Sequence, residues 1–178
     1  GPIPGRLSIG PPPGAGGRSE TGAGGSAAKH VEQFIREGHL RWDSLGEYCA
    51  LVPALEHLSR TTDNPRATLL AKTLDTAIGQ YLEHARYPSR KVGEIDNRGS
   101  TYYLTTYWAE ALAAQTTDTE LQSRFAPIAT ALQEAEPTIL AELLAAQGSP
   151  VDLGGYFQPD QEACAAAMRP SEIGRAHV

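Results

Sequence analysis

The sequence predicts a mostly α-helical chain, and three observations predict it. Apolar residues recur at three- and four-residue spacing through most of Ala27–Gln147. Helix-start signals stand at the heads of two of those runs, Ser44-Leu-Gly-Glu47 and Asn64-Pro65. No run alternates convincingly with the period of two that a half-buried strand requires.

The chain opens with a lead-in whose composition resists regular structure. Residues 1–19, GPIPGRLSIGPPPGAGGRS, are dominated by Gly and Pro, and only Arg6–Ile9 could pair as a short strand. Ala27–Glu37 then sets Val31, Phe34 and Ile35 on one face of a helix. Ser44-Leu-Gly-Glu47 has the form of a capping box, in which the hydroxyl and the carboxylate each satisfy an orphan backbone N–H. The helix it opens runs through Tyr48, Leu51, Leu55 and Leu58, with a kink or break expected at Pro53. Asn64-Pro65 caps and starts a helix to about Ala85, with Leu69, Leu70, Leu74, Ile78 and Leu82 inward. Tyr87–Ser100 reads as a polar connection. Thr101–Gln115 and Glu120–Gln147 are further helices, the second divided near Pro127 and Pro137. Gly154-Gly155 makes a turn, and Gln161–Met168 forms a last short helix. The final residues, Ile173–Val178, break the pattern and match the translation of a sequencing adapter, so they are set apart.

A length of 178 residues suits one domain with a real core, and 40% hydrophobic with 20% charged residues is ordinary for a soluble protein. A net charge of −6, with no Lys/Arg cluster longer than Arg90-Lys91, argues against a nucleic-acid partner. Cys49 and Cys164 lack metal-ligand spacing, and Cys49 is expected to pack as a small hydrophobe. Two distant cysteines, no apolar run of membrane-spanning length and no leader-like N-terminus point to a cytoplasmic protein without a membrane partner. No methionine opens the chain, which is therefore expected to be a fragment.

The chemistry concentrates in Glu20–Glu47. Gly22-Ala-Gly24-Gly25-Ser26-Ala27 formally fits a dinucleotide fingerprint but follows no strand, and Lys29 is misplaced for a Walker loop. It is either a structural loop capped by Ser26 or a cradle for phosphate. His30 follows one turn later, as a packing residue or as a donor to an anion. Arg41 and Asp43 admit two readings: a surface ion pair beside a helix start, or a fork donor to phosphate next to an acceptor for ribose hydroxyls. The loop Ser89–Ser100 carries Arg90, Lys91, Glu94, Asp96 and Arg98, each taken as solvated by default. Tyr102, Tyr103, Tyr107 and Trp108 recur at helical spacing as core and boundary residues. No nucleophile–base arrangement, carboxylate pair or metal site is legible.

Longer strings carry more. ETGAGGSAAKHVEQF, EGHLRWDSLGE, SRKVGEIDNRGSTYYL, YWAEALAAQT, AAQGSPVDLGGYFQPD and AMRPS, in order from Glu20 to Ser171, closely resemble the C-terminal region of monomeric-type NADP-dependent isocitrate dehydrogenases. The resemblance implies oxidation and decarboxylation of isocitrate to 2-oxoglutarate with NADP and Mg²⁺ or Mn²⁺. It implies a monomeric, two-domain chain several times this length, whose C-terminal part (here residues 20–172) completes an α/β cofactor-binding domain. Position by position, it implies that Ser26 and its loop face the cofactor phosphates. His30, Arg41 and Arg90 would surround the adenosine 2′-phosphate, and Asp43 would contact the adenosine end.

The resemblance weakens before Glu20, where Pro11-Pro-Pro13 and Arg18-Ser19 replace an apolar approach, and it stops after Ser171. The residues for isocitrate, metal and proton transfer would lie upstream. This chain alone is therefore expected to be inactive and to bind NADP weakly. The alternative is a stand-alone helical interaction module without catalysis, its charged loops solvated.

Overall fold

The computed structural model describes residues 25–152 and 160–170. Six helices form among the described residues: α1 (Gly25–Glu37), α2 (Leu45–Thr62), α3 (Pro65–Glu83), α4 (Asn97–Ala114), α5 (Thr119–Ala145) and α6 (Gln161–Met168). No strand forms among them. The lead-in 1–19, the Gly154-Gly155 turn and the tail 173–178 lie outside the described residues.

Side-chain caps fix most helix starts. The Asn64 side chain accepts from the N–H groups of Arg66 and Ala67, with Pro65 at the first helical position as the sequence predicts. Asp96, Asp118 and Asp160 cap α4, α5 and α6 in the same way. The capping box expected at Ser44 does not form. Ser44 makes no side-chain cap bond; Asp43 Oδ1 instead accepts from Leu45 N at 3.0 Å. Ser44 Oγ is taken by Asn97 Nδ2 at 2.9 Å, and Glu47 Oε1 by the Trp42 indole N–H at 3.1 Å.

Consecutive helices pack on one another, α2 on α3, α3 on α4 and α4 on α5. The helix α4 lies between two apolar clusters. On one side Tyr102, Tyr103 and Ala109 meet Ala129, Leu132, Ile139 and Leu143 of α5. On the other, Leu104 joins Leu74, Ala77, Ile78 and Tyr81 of α3, with Leu45, Tyr48, Val52 and Leu55 of α2 against them. The aromatic residues of α4 are core and boundary, as their spacing predicts.

Several expectations are corrected. Pro53, Pro127 and Pro137 sit inside α2 and α5 without dividing either helix. All three are exposed, so the carbonyl each leaves unpaired meets water. The inward stripe of α1 runs through His30 and Phe34, 4% and 5% exposed, while Val31 is 38% exposed. Leu82 is 49% exposed, while its neighbour Tyr81, 1% exposed, takes the core-facing side of the same turn. Cys49 lies on the exposed side of α2, a helix with no buried residue, and is not a packing cysteine. The polar connection ends at Asp96: Asn97–Ser100 form the buried first turn of α4.

Candidate functional site

Ser26 lies in the first turn of α1 and His30 one turn later. The His30 ring is buried edge-on against Trp42, with centroids 5.8 Å apart and planes at 81°. Trp42 thus joins α1 to the linker that carries Arg41 and Asp43. The linker is pinned from α4, because Asn97 Nδ2 donates to the Trp42 carbonyl at 2.8 Å. Asp43 Oδ1 caps α2 and also accepts from the Tyr81 hydroxyl at 3.1 Å. Burial, with the Asp43 carboxylate beside it, pushes the Tyr81 hydroxyl well above the ordinary tyrosine range and keeps it a donor. The half-buried Arg41 makes no ion pair with Asp43 and bonds no acceptor among the described residues.

Arg90 arrives from the other direction, in a loop closed on itself by Ser89 N–H donating to Ile95 O at 2.8 Å. Gln33 of α1 donates to the Arg90 carbonyl at 3.5 Å. His39, fully buried, faces the Ser89 carbonyl at 2.7 Å through Nε2. The structure therefore gathers His30 and the Arg41–Asp43 linker around Trp42, and ties the Arg90 loop to the later part of α1.

The end of that loop is not solvated. Asp96 and Arg98 are 1% and 4% exposed and form an ion pair at 2.7 Å. Arg98 also donates to the Gly38 carbonyl at 2.6 Å and to the Ala167 carbonyl at 2.7 Å, and its guanidinium lies over Phe34. Asp96 Oδ2 accepts from Leu40 N at 3.0 Å. One buried pair thus ties the end of α1, the start of α4 and the end of α6. Sequence reasoning missed Asp96, Arg98, His39 and Gln147 as organising residues. Two signals existed: an Asp two residues before a helical Arg can cap, and a glycine such as Gly38 marks a helix end.

The donor set suits an anion. Arg41, half-buried and without an acceptor among the described residues, is a fork donor of the kind an anion takes. For a metal ion the residues do not fit, since no group of three His, Cys, Asp or Glu side chains converges among the described residues. A cleft of about 420 Å³ between α4, α5 and α6, lined by Thr105, Leu132, Cys164 and Met168, includes none of the expected site residues. No helix among the described residues is long and apolar enough to cross a membrane.

Comparison with known proteins supplies the family. The model of monomeric isocitrate dehydrogenase matches residues 5–177, a span that takes in part of the lead-in and nearly all of the tail. Isocitrate dehydrogenase [NADP] 2 of Colwellia maris is 60% identical over 166 residues, which cover 93% of this chain and 22% of that protein. Isocitrate dehydrogenase [NADP] of Azotobacter vinelandii is 58% identical over 165 residues, again 93% and 22%. Isocitrate dehydrogenase [NADP] 2 of Mycobacterium tuberculosis is 54% identical over 170 residues, 96% of this chain and 23% of that protein. The chain thus spans about 22% of the length of the relatives it matches. With the family model covering almost all of it, this chain belongs to the monomeric isocitrate dehydrogenase family.

Proposed function

We propose that the chain is part of an NADP-dependent isocitrate dehydrogenase, a cytoplasmic oxidoreductase working as a monomer, and that it supplies the site for the adenosine 2′-phosphate. The observation that carries this reading is identity of 54–60% over 93–96% of the chain to relatives named isocitrate dehydrogenase [NADP]. On this reading residues 20–172 complete the α/β cofactor-binding domain of a two-domain enzyme, with 1–19 a divergent lead-in. Isocitrate, the Mg²⁺ or Mn²⁺ ion and the proton-transfer groups belong to the rest of the polypeptide, so this chain alone is inactive.

NADP differs from NAD by one phosphate carrying about two charges near neutrality. Arg41 offers that phosphate two parallel N–H bonds, and His30 is held at a fixed orientation by Trp42. Arg90 approaches from the loop tied to α1 by Gln33. For Ser26, which falls in the first turn of α1, the family resemblance implies a place at the cofactor phosphates, where helix N–H groups and the positive end of the helix dipole favour negative charge. Asp43 has one oxygen held by Leu45 and Tyr81; its other oxygen would serve the contact at the adenosine end.

The test is Arg41→Ala and Arg90→Ala in the full-length enzyme. Each should weaken NADP binding by roughly ten- to a hundredfold, since a hydrogen bond to a charged group is worth about 1.5–3 kcal/mol. Binding of NAD should barely change. An unaltered preference for NADP over NAD would remove that residue from the 2′-phosphate site.

A further inference from the structure

His39 lies between two hydrogen-bond partners, one at each ring nitrogen. Its Nε2 faces the Ser89 carbonyl and its Nδ1 faces Gln147 Oε1, both at 2.7 Å. A backbone carbonyl can only accept, so Nε2 must carry a proton. The Gln147 amide is fixed independently of the histidine. Its oxygen accepts from the Gly93 N–H at 2.8 Å, and its nitrogen donates to the Glu94 carbonyl at 2.8 Å. Turning the amide over would set donor against donor and acceptor against acceptor at those two backbone groups. Gln147 therefore presents oxygen to His39, and Nδ1 must carry a proton as well.

The surroundings favour the cation that results. His39 lies two residues beyond the end of α1, and Gln147 two residues beyond the end of α5. The two ends meet: Gly148 N–H donates to Glu37 O at 2.7 Å. A Cβ on Gly38 would stand 2.8 Å from the Ala146 carbonyl. Two helix C-termini, each carrying partial negative charge, converge on one imidazole. The charged groups on the elements around it are Glu37 of α1, Glu142 of α5, Arg90, Lys91 and Glu94 of the loop, and the Asp96–Arg98 pair. That pair is internally neutral, and Glu94 is drawn back into the loop by Ser89 Oγ at 2.5 Å. Both distances to His39 lie at the short end expected for charge-assisted bonds.

We propose that His39 is held doubly protonated and, in that form, is a positioning residue for the loop that carries Arg90. It grips the loop directly at Ser89 and, through Gln147, at Gly93 and Glu94, so the two ends of the segment bearing Arg90 are fixed to α1 and α5. The effect on cofactor binding rests on the reading that Arg90 meets the 2′-phosphate; the protonation state does not.

Two measurements on the full-length enzyme test this. In a sample with ¹⁵N-labelled histidine, the resonance pair missing from His39→Gln should show protons on both ring nitrogens. A bare ring nitrogen there overturns the protonation state. In kinetics, His39→Gln should raise KM for NADP on the order of tenfold while kcat holds within about twofold. Gln147→Ala, which removes the Nδ1 acceptor without touching the imidazole, should do the same. Neither should add to the loss in an Arg90→Ala background, because the loop then positions nothing. Fully additive losses, or an unchanged KM, overturn the positioning role. If Arg90→Ala alone leaves the preference for NADP intact, the cofactor reading fails, and the spectroscopic result stands separately.

Discussion

The carboxylate of Asp96 and the guanidinium of Arg98 lie 2.7 Å apart in a region where both side chains are almost wholly buried. Arg98 spends its remaining donors on carbonyls from two distant parts of the chain, Gly38 and Ala167. A charge in this setting is tolerable only while every partner stays in place. Arg98→Met leaves the Asp96 carboxylate buried without its counter-ion and should cost about 3–5 kcal/mol of unfolding free energy. Replacing both residues with apolar ones should recover part of that loss. Urea titration of the single and double variants measures it, and a double variant no better than Arg98→Met would contradict the pairing.

At the start of α2 the capping side chain is Asp43, not Ser44. Asp43→Ala should therefore lower stability by about 1–2 kcal/mol, since it removes an N-cap and the acceptor for Tyr81 together. Ser44→Ala removes only a neutral bond to Asn97, whose amide keeps the Trp42 carbonyl, and should cost about half a kcal/mol. Thermal unfolding of the two variants checks the order, and the reverse order would restore the capping box.

Trp42 meets the His30 ring edge-on. On the proposal that His30 meets the 2′-phosphate, Trp42→Ala should raise KM for NADP in the full-length enzyme by roughly tenfold with kcat little changed, because the histidine loses that contact. Trp42→Phe should keep most of the affinity, since the aromatic edge is retained while only the indole N–H to Glu47 goes. A Phe variant as impaired as Ala would shift the role from the ring to that hydrogen bond.

Tyr81, Tyr102 and Tyr103 all have hydroxyls pushed up from the ordinary tyrosine range, with burial the main cause. For Tyr81 and Tyr103 the carboxylates of Asp43 and Glu136 add to it. The sign follows from linkage. A raised value in the folded state means that the unfolded chain loses these protons first as pH climbs. The contribution is fully present below about pH 10 and is lost progressively above it. Denaturation midpoints should fall with rising pH in that alkaline range, and Tyr81→Phe with Tyr103→Phe should flatten the fall.

How much of this was legible in the sequence depends on how local each cause is. Asn64-Pro65 and Gln161–Met168 were read correctly because cap and periodicity lie within a few residues of one another. Ser44-Leu-Gly-Glu47 misled because Asn97, more than fifty residues away, takes the serine. Asp96 and Arg98 looked solvated because charge is dense around them. Their burial is decided by Gly38, Leu40 and Ala167, which no local window contains. The Ser26–Asp43 stretch stood out because a glycine loop, a helix start, a histidine and an arginine lie close in the chain. The part of Arg90, forty-seven residues beyond Asp43, came from family resemblance alone.

Pro127 and Pro137 lie within α5, a helix of 27 residues that also carries the apolar side of the α4–α5 core. Each proline denies the helix one internal bond and clashes with the turn before it, so excised α5 has little reason to coil in water. Its helicity is lent by α4. Spectroscopic helix content and burial of the aromatic side chains should then vanish at one temperature, and a peptide spanning 119–145 should show almost no helical signal on its own.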